Sequence, residues 1–125
     1  MNIFEFGQLS FNHLHSEMTI ILSIASKEEY ESLLDFVYDA VRKSWCYCET
    51  DDFTKEQLDK IHLKPATQNA RKNILSFICQ MNQKIDIRLE EMQNICQVYE
   101  PLWNDEAYTF ESDYNYFLFL WETSA

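Results

Sequence analysis

The sequence predicts an α+β fold: a small, mainly antiparallel sheet, built from N-terminal and C-terminal strands and covered by three to four helices. Three observations predict it. β-branched and apolar residues crowd together in EMTIILSIAS, residues 17–26, which suits a buried strand. Apolar residues then recur at helical spacing through the middle of the chain. Finally, YTFE and YNYFLFLWE, residues 108–111 and 114–122, are aromatic and strand-like around the turn residues Ser112 and Asp113, the pattern of a hairpin. No repeat, low-complexity stretch or linker interrupts the 125 residues, so one domain over 1–125 is expected.

The elements follow in order. NIFEF, residues 2–6, adds a further strand. Ser26 and Glu29 have the S-x-x-E spacing of a capping box, in which each side chain accepts from the other residue's backbone N–H and so marks a helix start. Behind it Tyr30, Leu33, Leu34, Val37 and Val41 share one helical face, while Glu28, Glu31, Asp35 and Asp39 point mostly outward. Arg42 and Lys43 complement the negative C-terminal dipole of that helix. Residues 46–53 break the pattern and predict a loop. Thr54 and Gln57 form a second capping box for a short helix with Leu58 and Ile61 inward.

Pro65 disfavours helix at Lys64, and a third helix starts near Ala66 or Thr67. Its buried face comprises Ala70, Ile74, Phe77, Ile78, Met81 and Ile85. Over residues 85–99 two periods compete. Ile85, Ile87 and Leu89 alternate like a strand, whereas Ile85, Leu89, Met92, Cys96 and Tyr99 follow a helix. The longer match favours helix, with a break near residues 82–84. In the last strand, Phe117 to Leu120 reads as buried on both faces.

Composition narrows the function. Twenty-one Asp and Glu against ten Lys and Arg give a net charge of −11, a poor balance for a protein that must neutralise nucleic-acid phosphates. A single glycine, Gly7, rules out glycine-rich phosphate loops and a G-x-S-x-G nucleophile elbow. Hydrophobic residues at 46% and aromatics at 15% argue against disorder. No basic-then-apolar leader opens the chain, and its longest apolar run, residues 116–121, is far short of the ~20 residues of a membrane span. These features predict a cytoplasmic protein that does not contact membranes, with Cys46, Cys48, Cys79 and Cys96 reduced.

Chemical constellations are weak. His13-x-His15 with Cys46-x-Cys48 offers zinc-type ligands, but a one-residue spacer is tighter than the usual two to four. Asp51-Asp52 and Asp105-Glu106 offer carboxylates for Mg²⁺, yet adjacent side chains diverge on a strand. A cysteine nucleophile at Cys46 or Cys48 can be paired on paper with His13, His15 or His62, although three histidines give any cysteine such a partner. No cofactor, metal or catalytic residue is therefore expected, and the chain does not read as an enzyme.

Charge is segregated along the sequence. Residues 1–41 carry net −6, residues 42–59 net −2, residues 60–88 net +5 and residues 89–125 net −8. The basic middle (Lys60, Lys64, Arg71, Lys72, Lys84, Arg88) lacks a row of stacking aromatics and is expected to face the acidic helix over residues 26–42 or solvent. Basic face against acidic face would also permit a homodimer. In the last stretch Glu100, Asp105, Glu106, Glu111, Asp113 and Glu122 alternate with Trp103, Tyr108, Tyr114, Tyr116 and Trp121. Such a mixture suits a protein partner with a cationic cleft, since carboxylates steer encounter while Tyr and Trp anchor it. An ordinary solvated rim accounts for any one of these acids taken singly.

In size, negative charge, scarcity of glycine and the acidic-aromatic tail NDEAYTFESDYNYFLFLWET, the chain resembles bacterial immunity proteins of contact-dependent-inhibition and related polymorphic toxin systems. The resemblance implies an antitoxin that binds and neutralises a cognate basic toxin domain, an RNase or DNase, by occluding its active site or substrate cleft without itself binding nucleic acid. The expected contact set is Trp103, Asp105, Glu106, Tyr108, Glu111, Asp113 and Tyr114, with Glu49, Asp51 and Asp52 as a second patch. Two alternatives are an acidic nucleic-acid mimic of the anti-restriction or anti-CRISPR type, and a small metal-dependent or cysteine hydrolase.

Overall fold

Six strands hydrogen-bond side by side into one antiparallel sheet in the order β1-β2-β6-β5-β4-β3. They are β1 (Asn2–Phe6), β2 (Met18–Ser26), β3 (Lys64–Pro65), β4 (Gln93–Gln97), β5 (Asp105–Glu111) and β6 (Asn115–Thr123), with helices α1 (Leu33–Cys46) and α2 (Gln68–Cys79). The computed structural model describes residues 1–7, 18–46, 59–66, 68–79 and 92–123.

The period of two in the central strands sorts their side chains to opposite faces. Ile21 and Ala25 of β2, Ala107 of β5, and Tyr116, Leu118 and Leu120 of β6 pack with Phe36, Val37, Ala40 and Val41 of α1. Ile20 and Leu22, Tyr108 and Phe110, and Phe119 pack with Ala70 and Ile74 of α2 on the other face. β6 is buried on both faces because a helix covers each side. The fully buried Phe36, Phe110 and Phe119 each contribute roughly 1.5–3 kcal/mol of burial. Phe77 stacks on Trp121 at 4.6 Å and 12°, holding the C-terminal part of α2 against β6.

Buried hydroxyls at the sheet bond locally, whereas the buried Trp121 indole N–H of β6 has no hydrogen-bond partner among the described residues. Buried Thr109 donates from Oγ1 to the Phe117 carbonyl at 2.7 Å. Ser44, at the buried contact of α1 with β2, donates to the Ala40 carbonyl at 2.7 Å and lies 3.4 Å from Ser23 Oγ.

The expected strands at residues 2–6, 17–26, 108–111 and 114–122 fall on β1, β2, β5 and β6, and the helix expected near residue 66 is α2. The predicted covering of three to four helices over a small sheet is overturned. Among the described residues the sheet has six strands and two α-helices flank it, one on each face. The capping box at Ser26 and Glu29 forms, but it opens a three-residue 3-10 turn, and α1 begins only at Leu33. On α1 the buried face is Phe36, Val37, Ala40 and Val41, whereas Leu34, assigned to it from the sequence, is 40% exposed. The short helix capped by Thr54 and Gln57 falls mostly outside the described residues.

The main correction lies in residues 85–99, where helix was expected and β4 occupies Gln93–Gln97. Met92 and Ile95 join the α2-side core, while Val98 joins the α1-side core. A strand lets this segment bond neighbours on both sides: Val98 N–H to the Ala107 carbonyl at 3.0 Å, Ala66 N–H to the Ile95 carbonyl at 2.8 Å, and His62 N–H to the Val98 carbonyl at 2.9 Å. The register shifts between Gln93 and Cys96, and Asn94 takes a left-handed φ of 51°, a conformation asparagine tolerates better than most residues.

Candidate partner-binding end of the sheet

The antiparallel register places the C-terminal end of β6, the start of β5, the start of β2 and the end of β1 along one edge of the molecule. Glu122 and Asp105 are direct cross-strand partners there. Both stand on the α1 side, because they continue the alternation of Leu118, Leu120 and Ala107. Tyr99 donates its hydroxyl to Asp105 Oδ1 at 2.5 Å. Burial holds the Asp105 carboxyl above its usual range; the Tyr99 hydroxyl partly offsets this and nearby Glu106 adds to it. Glu122 is raised by partial burial first, then by Asp105 and Glu5. Burial together with the neighbouring Asp105 carboxylate keeps the Tyr99 phenol protonated well beyond its ordinary range.

Just before β5 the chain makes a two-residue turn. Leu102 and Asp105 exchange backbone bonds, at 2.8 Å from Leu102 N–H and 3.3 Å from Asp105 N–H, and Thr123 N–H donates to the Asn104 carbonyl at 3.0 Å. The turn is thus tied to itself and to β6. It presents Leu102 at 62% and Trp103 at 73% exposure, with exposed Pro101 and Glu100 before them. Glu100 is paired with Lys64 Nζ at 2.5 Å, which lowers its carboxyl from the usual range.

The expected contact set is divided by this geometry. Trp103, Asp105 and Glu106 come together at this end, though Asp105 and Glu106 emerge on opposite faces. Tyr108 is buried under α2, its hydroxyl donating to Glu106 Oε1 at 2.7 Å and its pKa pushed up to about 12, mainly by burial. Glu111, Asp113 and Tyr114 lie at the opposite end of β5. There Glu111 is paired with Lys27 at 3.0 Å, Asp113 accepts from Gln93 Nε2 at 3.0 Å, and Tyr114 is 80% exposed. Glu49, Asp51 and Asp52 lie outside the described residues. Leu102, Tyr99 and Glu5 were not singled out from the sequence. Asn104-Asp105 after Pro101 is a turn signal that could have pointed to Leu102, but nothing local pairs Glu5 or Tyr99 with this end.

The remaining constellations gain little. Asp105 and Glu106 cannot share one ion from opposite faces, and among the described residues no group of three or more His, Cys, Asp or Glu is arranged to hold a metal. Cys46 ends α1, while His13, His15 and Cys48 lie outside the described residues. Burial pushes the Cys96 thiol up, with Glu111 adding to it, which disfavours the nucleophilic thiolate. Of the basic middle, Lys64 pairs with Glu100 rather than with the acidic helix, Arg71 donates to the Met92 carbonyl at 3.2 Å, and Lys72 is exposed on α2. No helix among the described residues is long and apolar enough to cross a membrane. The chain matches no family model, no curated protein and no solved structure.

Proposed function

We propose that this protein is an immunity-type inhibitor that binds a cognate cationic toxin domain, a nuclease, and blocks its substrate cleft. The observation that carries the reading is the grouping of Glu5, Asp105, Glu106 and Glu122 at the sheet end that also displays Leu102 and Trp103. A nuclease must be cationic where it grips phosphate. Carboxylates there steer its approach, and an exposed apolar turn supplies the contact area that charge alone does not. The net charge of −11 extends the attraction over the whole molecule.

The test is affinity capture from the native host at low salt, followed by a nuclease assay. The expected result is one basic protein, released by raised salt, whose nuclease activity falls to zero as one equivalent of this chain is added. A captured protein without nuclease activity, a nuclease that the chain leaves active, or no captured protein at all overturns the reading.

A further inference from the structure

We infer that the outer edge of β1 pairs with β1 of a second copy, antiparallel about a two-fold axis at Phe4, joining two sheets into one. The inference stands independently of the inhibitor reading.

The two edges of the sheet are unlike. A strand edge presents unpaired N–H and C=O groups that template another strand, and proteins blunt it with short strands, Lys, Pro or bulges. At one edge, β3 is only two residues long, Lys64 and Pro65, and proline has no N–H to offer. At the other edge β1 has none of these devices. It runs five residues, pairs with β2 in unbroken register from Asn2 to Phe6, and contains no Lys, Arg or Pro. Among the described residues no strand pairs with its outer side.

Its side chains decide the occupant. Phe4 and Phe6 lie opposite Leu22 and Ile20 on the α2 side, and Glu5 lies opposite Ile21 on the α1 side. Phe4, at the middle of the strand, is 45% exposed. Pairing in a continuous sheet keeps each face on its own side. Centred on Phe4, it sets that ring against the copy's Phe4, Asn2 against the copy's Phe6, and Ile3 against the copy's Glu5. Two aromatics then meet across the strands, and the one charged side chain of β1 meets an apolar one instead of a second carboxylate. An edge with an exposed Phe and a single carboxylate offers little to a cationic cleft, whereas a copy of itself fits it residue by residue. The two-fold also uses up both β1 edges, and the blunted β3 edges stop further growth, so the product is a closed dimer and not a fibre.

The test is sedimentation of the full chain over a concentration series, with amide hydrogen exchange at both ends of the series. The expected result is a reversible rise toward twice the monomer mass. Added salt should strengthen it, because two chains of net −11 repel, the opposite sign to binding a cationic partner. Exchange of β1 amides should slow as concentration rises. Phe4→Lys removes the aromatic pair and sets like charges opposite each other, which should weaken the dimer about 3- to 70-fold, while Phe4→Tyr should preserve it. Should the Lys variant fail to fold, exchange in the wild-type chain still decides. A chain that stays monomeric at about 1 mM overturns the inference. So does a dimer that a folded Phe4→Lys variant leaves intact, since its interface lies elsewhere. Protection of β1 amides only in the presence of a captured partner gives the edge to that partner's strand and overturns it as well.

Discussion

Replacing Glu122 by Gln should stabilise the protein at neutral pH and leave it unchanged in acid. Glu122 and Asp105 face each other across the β5–β6 ladder, and like charges directly opposite cost roughly 0.2–1 kcal/mol. Glu122 is partly open to solvent, so screening moves the expected gain toward the lower half of that range. For a chain of this length the whole range corresponds to a rise of about 1–4 °C in Tm.

The sign follows from linkage. Both carboxyls are raised in the folded state, Asp105 chiefly by burial and Glu122 by burial with Asp105 and Glu5. The folded protein therefore holds protons that the unfolded chain has released. The pair's cost is absent below the ordinary carboxyl range, grows as pH rises from that range through the raised folded values, and is complete above them. Urea unfolding of wild type and Glu122→Gln at pH 7.5 and at pH 3 measures it. A higher midpoint for the variant at pH 7.5 that vanishes at pH 3 is the expected pattern. Equal midpoints at pH 7.5, or the same gain at both pH values, would refute the like-charge account. In a double-mutant cycle, Asp105→Asn and Glu122→Gln should gain less together than the sum of their separate gains, because either change alone removes the repulsion.

Further outcomes follow from the same geometry. Phe119→Ala empties a fully buried site in the middle strand and should cost about 3–5 kcal/mol, read as a lowered urea midpoint. Thr109→Val removes the hydroxyl that donates to the Phe117 carbonyl and should cost about 1 kcal/mol in the same measurement. Trp103→Ala, by contrast, should change stability by less than about 0.5 kcal/mol, since the side chain is 73% exposed. Neutralising Asp105 and Glu106 together as Asn and Gln should slow association with the captured nuclease and flatten its dependence on salt, measured by stopped-flow at several ionic strengths.

How much was legible in the sequence depended on whether local period and tertiary demand agreed. β2 and the β5–β6 hairpin could be read directly. Their β-branched and aromatic residues favour extended chain wherever it lies, and Ser112 and Asp113 supply the turn between β5 and β6. Residues 92–97 were misread because Met92, Cys96 and Tyr99 happen to fall at helical spacing, while the features that make this segment a strand are not local. They are the edge of β5, which pairs with this segment, and the Ala66 N–H that the Ile95 carbonyl receives from the other side. α1 shows the same limit on a smaller scale. Leu34 and Phe36 are both apolar, and only the position of the sheet puts Phe36 beneath the helix and Leu34 outside it.

The candidate site divides in the same way. Its residue types, acids interleaved with Trp and Tyr after Pro101, stand in the sequence, and so does the net charge of −11 on which the proposal of a cationic partner rests. Which of those residues act together does not. A seven-residue strand, β5, carries its ends roughly 20 Å apart, so Trp103 and Tyr114 cannot belong to one small patch however close they stand in the chain. Alternation along β5 sends Tyr108 into the core, and the β6 register brings Glu122 opposite Asp105 from 17 residues away. Charge and propensity belong to residues one at a time, but adjacency across a sheet belongs to the register, and only the folded chain sets that.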